Sequence, residues 1–208
     1  MGRHHARQLE DWYKTPPAVT RALLDREEFG DLIAEPACGD GAISDILKEA
    51  GFTVYSSDLY DRNYGVSGVD FLTTTSLPFN ASRVDLITNP PFGLADEFVL
   101  HAHKVGYFKM AFLLRLAWLE GEARRRKVFD RYPPRDVYVF SARQTLWRGD
   151  DPKPRSTGGM AAYAWFIFRN DGLGARLNPR LHWISRSESQ DHVPATVVTA
   201  ADTAREFF

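Results

Sequence analysis

The order of apolar and polar positions divides the chain into alternating helical and extended stretches. After a polar first dozen residues, Trp12-Tyr13-Lys14-Thr15-Pro16-Pro17 leads into AVTRALLDREEF. There Val19, Leu23 and Leu24 recur at helical spacing, and Thr15 followed by proline marks a helix start. Leu32-Ile33-Ala34 reads as a short buried strand, Glu35 to Gly41 as a loop, and AISDILKEAG as a helix stopped by Gly51. FTVYSSD is a second strand ending on Asp58, DLYDRNYGVSGVDFL a loop, and RVDLITNPPF a third strand ending in Asn89-Pro90-Pro91-Phe92. LADEFVLHAHKVG is helical. KMAFLLRLAWLEG opens as a near-continuous apolar run that suits a central strand, and DVYVFSAR and AAYAWFIF are two more strands. Such alternation predicts an α/β fold, a parallel sheet with helices on both faces. QTLWRGDDPKPRSTGGM is a surface loop rich in Gly, Pro and charge. From about Gly172 the strand signal fades, so residues 1–175 are expected to form one domain and 176–208 a polar carboxy-terminal tail, free to move and with no assigned function.

Composition narrows the setting. The 208 residues, 44% of them hydrophobic, suffice for one domain with a real core. A net charge of -1 and a pI near 6.6 exclude a global cationic field, so any nucleic-acid contact must come from local basic patches. Cys38 is the only cysteine, and no Cys/His set has zinc-ligand spacing; a reducing cytoplasm and no metal are expected. No stretch has the apolar core of a signal peptide or the roughly 18 apolar residues of a membrane span.

The glycine loop carries the first chemistry. In an open parallel sheet a ligand sits beyond the carboxyl ends of the strands, where Gly39 and Gly41 let backbone come close to it. Glu35 and Asp40 would repel the pyrophosphate of a dinucleotide. They suit S-adenosylmethionine, which carries an ammonium and a sulfonium. Asp58, 17 residues past Gly41 at a strand end, is placed to accept from both ribose hydroxyls. Asp70-Phe71 offers a carboxylate for the cofactor's adenine amine and an aromatic for its ring.

Asn89-Pro90-Pro91-Phe92 carries the second. The lone pair of an exocyclic amine is delocalised, so a catalyst should hold the nitrogen by its hydrogens. The Asn89 side-chain oxygen and the Pro90 carbonyl are two acceptors, the consecutive prolines fix φ and remove competing donors, and Phe92 gives a face for a planar group. From Glu120 to Arg155 ten Lys and Arg stand against six acids, with Trp118, Tyr132, Trp147 and Tyr163 interleaved. Arg124 to Lys127 and Trp118 are equally well read as a solvated helical face and core packing. The better substrate contacts are Arg143 and the loop pair Trp147-Arg148.

From Trp12 to Phe168 the sequence resembles the class I S-adenosylmethionine-dependent methyltransferases, in particular the N6-adenine branch with its Asn/Asp-Pro-Pro-aromatic motif and the small adenine methyltransferases often encoded by phages. The resemblance implies a Rossmann-like fold with a mostly parallel seven-stranded sheet whose last strand is antiparallel. It places Tyr13, Lys14, Thr15 and Pro16 in an amino-terminal cofactor motif and Glu35, Pro36, Ala37, Cys38, Gly39 and Gly41 in the methionine-binding loop. Asp58 and Leu59 fall at the ribose, Asp70 and Phe71 at the adenine, and Asn89, Pro90, Pro91 and Phe92 at the target amine. The implied activity is methylation of adenine N6 in nucleic acid, DNA ahead of RNA. Two features depart from the pattern. Ala37 stands where many relatives have glycine, and no separate target-recognition domain is evident, which leaves sequence specificity slight or carried by the 144–160 loop. RNA adenine methylation, methylation of a protein glutamine amide and a non-catalytic cofactor-binding module are the alternatives. Phe92, where glutamine methyltransferases usually carry tyrosine, argues against the second, and the intact motifs argue against the third.

Overall fold

The computed structural model describes residues 12–75, 78–149, 161–172 and 178–189. In chain order the elements are β1 (Tyr13–Lys14), α1 (Pro17–Leu24), β2 (Leu32–Glu35), α2 (Ala42–Glu49), β3 (Thr53–Ser56), β4 (Asp85–Thr88), α3 (Ala95–Val105), β5 (Lys109–Arg115), β6 (Asp136–Phe140), β7 (Trp147–Arg148), β8 (Tyr163–Arg169) and β9 (Arg180–Ile184). A helical turn at Glu122–Arg124 runs into a π-helical turn at Arg125–Phe129. Pro17 sits at the first position of α1, where its missing N–H costs nothing, and Gly106 ends α3 at φ 94°.

Seven strands form one sheet in the order β3-β2-β4-β5-β8-β6-β9, all running the same way except β8, which is antiparallel to both neighbours. Strands β4, β5, β6 and β8 are buried almost throughout, as their apolar runs predict. One face packs α1 and α2 through Val19, Leu23, Ile43 and Leu47 against Ile33, Ile87, Leu113 and Trp165. The other packs α3, Trp118 and Val128 against Leu86, Phe112, Val137 and Phe166. Each fully buried large apolar side chain stabilises the sheet by roughly 1.5 to 3 kcal/mol.

Two expectations change. The antiparallel strand is the one that the sequence pattern places last, yet β9 follows it. This strand lies inside the segment expected to be a polar tail, and it pairs in parallel with β6 along Asp136↔Arg180 to Phe140↔Ile184. Its pattern conceals it because only Ile184 is fully buried, while Leu181 and Trp183 are 53% and 64% exposed. What holds β9 is its ladder and the buried Asp136 carboxylate, which accepts from Arg180 at 2.7 and 2.8 Å and from His182 at 2.8 Å. The rest of the expected tail, residues 176–177 and 190–208, and residues 150–160 of the surface loop lie outside the described residues.

From β2 the chain pairs β3 on one side and then crosses to β4 on the other. That reversal opens a crevice beyond the carboxyl ends of β2 and β4, where ligands bind in sheets of this kind.

Candidate cofactor cleft and acceptor loop

The crevice is a partly open cleft with a cavity volume of about 100 Å³. Tyr13, Lys14 and Thr15 line it from the β1 side, Glu35, Pro36, Ala37 and Cys38 from the loop after β2, and Asp58 and Leu59 from the end of β3. Asp70 and Phe71 line it from the following loop, and Asn89 and Pro91 from the end of β4. These residues, up to 78 positions apart, therefore share one cavity, whereas Gly39, Gly41, Pro90 and Phe92 do not line it.

The glycines do other work. Gly39 (φ 57°) and Gly41 (φ 91°) are left-handed, and a Cβ would lie 2.4 Å from Trp12 Nε1 at the first and 2.3 Å from the Tyr64 ring at the second. The close approach they permit in this structure is by two aromatic side chains, of which Trp12 itself lines the cleft. Trp12 is also wedged against Gly149, where a Cβ would meet its ring at 2.2 Å, and the Arg62 guanidinium lies 3.8 Å from its centroid.

Charge in the cleft is uneven. Lys14 pairs with Asp40, so the expected acidic entrance is half neutralised. Glu35 is 1% exposed and has no cationic partner among the described residues; its carboxylate accepts from Ser44 Oγ, which also contacts Ser56 Oγ at 2.5 Å. Burial pushes its pKa well up, the Ser44 hydrogen bond opposes that, and Asp58 and Asp45 add to the rise. Burial, aided by Glu35 and Asp58, likewise pushes the Cys38 thiol to about 12, so it is an inert wall of the cleft. Both oxygens of Asp58 accept backbone N–H groups, from Gly39 and Tyr60, each at 2.9 Å. This fixes the carboxylate and leaves each oxygen a further lone pair. Phe71 is 4% exposed and packs on Phe98 at 4.9 Å, edge-on to His101 at 5.0 Å. It serves the core as well as the cleft.

Asn89 follows β4. Its Nδ2 donates to the Tyr13 carbonyl at 3.0 Å and to Thr15 Oγ1 at 3.1 Å. A carbonyl can only accept, so this contact decides which end of the amide is nitrogen. Asn89 Oδ1 is buried with no hydrogen-bond partner. A buried acceptor left open is costly unless a ligand fills it. Pro91 carbonyl accepts from Leu94, starting a 3-10 turn at Phe92–Leu94. The Phe92 ring lies among Tyr13 (5.5 Å), Tyr163 (5.7 Å) and the Arg115 guanidinium (4.7 Å).

The expected substrate contacts divide. Trp147 and Arg148 form β7, which pairs antiparallel with β1 (Tyr13↔Arg148, Lys14↔Trp147), and Arg143 is exposed just before it. The Arg124 to Lys127 cluster is instead a solvated, paired surface. Arg124 bonds Asp96 at 2.7 Å, Arg125 pairs Glu122 and Asp130, Arg126 pairs Glu122, and Lys127 pairs Glu97. Trp118 is 6% exposed and donates to Asp96, Tyr132 stacks on His103 at 3.9 Å, and Tyr163 is buried. Lys153 and Arg155 lie outside the described residues. Sequence reasoning passes over Trp12, Arg62 and Arg115 as site residues; no local spacing links them to partners so distant in the chain.

No protein-family model and no curated protein matches the sequence. Solved structures do. A type I restriction-modification methyltransferase subunit from Streptococcus thermophilus superposes with a TM-score of 0.54 at 15% identity, covering 85% of this chain and 47% of that one. A protein from Agrobacterium tumefaciens named as a predicted O-methyltransferase gives 0.53 at 12% identity, covering 82% and 86%. The 23S rRNA methyltransferase ErmE gives 0.51 at 14%, covering 79% and 71%. The chain spans about half the length of the restriction-modification subunits it matches. It thus has the Rossmann-like fold of the class I methyltransferases.

Proposed function

We propose that the protein is an S-adenosylmethionine-dependent methyltransferase acting on the N6 amine of adenine in nucleic acid, DNA ahead of RNA. The observation that carries this is Asn89: its nitrogen is held by Tyr13 and Thr15, and its oxygen is a buried, open acceptor on the rim of the cleft. The neighbours range from a restriction-modification methyltransferase subunit to a 23S rRNA methyltransferase, so the acceptor is argued from this loop.

The residues fit the cofactor. When bound, it would supply a methyl on a positively charged sulfur. The buried Glu35 carboxyl, short of a cation, would accept its ammonium; Asp58, already oriented by two N–H groups, would hold the ribose hydroxyls; Asp70 would take the adenine amine. Asn89 Oδ1 would accept one hydrogen of the target amine and Pro90 the other, which favours the pyramidal nitrogen needed for attack. Alignment and charge placement are the catalytic contribution, with the amine proton leaving afterwards. Incubation of labelled cofactor with DNA, RNA and a glutamine peptide should give N6-methyladenine as the product. Label recovered only as methylglutamine would refute the reading.

A further inference from the structure

Phe92, beside the acceptor loop, has three close neighbours of different freedom. Tyr13 is fixed by the β1 ladder, and Tyr163 is 5% exposed in β8. Arg115, across the ladder from Tyr163, is exposed at the carboxyl end of β5, the strand next to β4, which Asn89 directly follows. Its guanidinium lies 4.7 Å from the Phe92 centroid, and no carboxylate among the described residues pairs with it. The cluster at Arg124 to Lys127 is by contrast neutralised residue by residue. An arginine held only by a ring keeps its N–H donors for another acceptor, and its planar fork matches the paired oxygens of a phosphate. At an exposed position such a ring contact is weak and exchangeable.

We propose that Arg115 binds the backbone phosphate beside the target adenine of a single-stranded polynucleotide, moving off Phe92 as the base stacks there. The inference rests on reading the Asn89 loop as an adenine acceptor site. It assigns the anion contact to the mouth of that loop, where a nucleotide brings its phosphate within reach as its base enters. The methyl acceptor is then a nucleotide in a chain, and a glutamine side chain, which carries no phosphate, has no use for the contact.

The test uses the full chain as wild type, Arg115→Gln and Arg115→Lys, binding a single-stranded oligodeoxynucleotide that contains adenine, with a non-reactive cofactor analogue present. Affinity is measured by fluorescence anisotropy across a salt series. Loss of one phosphate contact should lower the slope of log affinity against log salt by about 0.7 for Arg115→Gln, while Arg115→Lys, which keeps the charge, should retain the wild-type slope. Equal slopes for wild type and Arg115→Gln, or a lysine variant as deficient as the glutamine one, would overturn the assignment while leaving the adenine reading in place. A wild-type protein that binds no oligonucleotide at any salt would overturn both.

Discussion

The acceptor loop depends on two hydrogen bonds donated by the Asn89 amide nitrogen. Asn89→Ala removes the open Oδ1 and should lower methyl transfer roughly 100-fold or more while leaving cofactor affinity nearly unchanged. Single-turnover rates and calorimetry check the two halves separately. Thr15→Val removes one of the two acceptors that orient the amide; loss of one such bond corresponds to a drop in kcat of about three- to tenfold, restored by Thr15→Ser. A valine variant with wild-type kcat would make Thr15 a bystander. Glu35 bears on pH. A carboxyl whose pKa is raised by folding stabilises the native state fully below the ordinary carboxylate range, and that contribution is lost as pH rises through the raised value. Glu35→Gln cannot ionise, so it should remove this decline in ligand-free stability toward neutral pH and weaken binding of the cationic cofactor. Thermal melts in a pH series, with and without cofactor, would show both effects, and unchanged pH profiles in the variant would contradict them.

At the level of elements, β1 and β7 join the cofactor cleft to the loop that precedes the surface segment. Trp12 bonds Gly149 through its carbonyl at 3.0 Å and is packed between Gly39 and Gly149. Gly149→Ala would put a methyl into the ring, an overpacking cost of about 1 to 3 kcal/mol. It should lower the melting temperature and the cofactor affinity together, and the added methyl should cost nothing further in a Trp12→Ala background. Equal losses in both backgrounds would remove Trp12 from the explanation. This ribbon also marks where sequence reading runs out. Strands β2, β4, β5, β6 and β8 are legible because apolar runs bury them on both faces, and the glycine loop and Asn-Pro-Pro-Phe are legible because their chemistry is local. Strands β1 and β7 have two residues each, too short for any period, and owe their existence to each other across 133 positions of sequence separation. The basic cluster misleads for a related reason: the acids that neutralise Arg124 and Lys127, Asp96 and Glu97, lie on α3, about 30 residues earlier.

In the whole molecule, the far edge of the sheet is secured by one buried charge. Burial alone would raise the Asp136 pKa, but hydrogen bonds from Arg180 and His182 outweigh it and hold the carboxyl below its ordinary value. A depressed carboxyl stabilises the fold above the ordinary carboxylate range and loses that contribution as pH falls through the depressed value. Arg180→Ala should therefore destabilise the protein by about 1 kcal/mol at neutral pH, a modest figure because the arginine side chain is 60% exposed, with the difference vanishing in strong acid. Urea unfolding at several pH values measures it, and a difference that persists at every pH would place the effect elsewhere. The attachment of β1 has a consequence in time. On a ribosome adding about 5 to 20 residues per second, Tyr13 and Thr15 emerge early, Asn89 follows seconds later, and the β7 residues that brace β1 come later still. A nascent chain bearing every residue of the glycine loop and Asn89 therefore still lacks the brace, and the Tyr13 side of the cleft is held in place only after β7 has emerged.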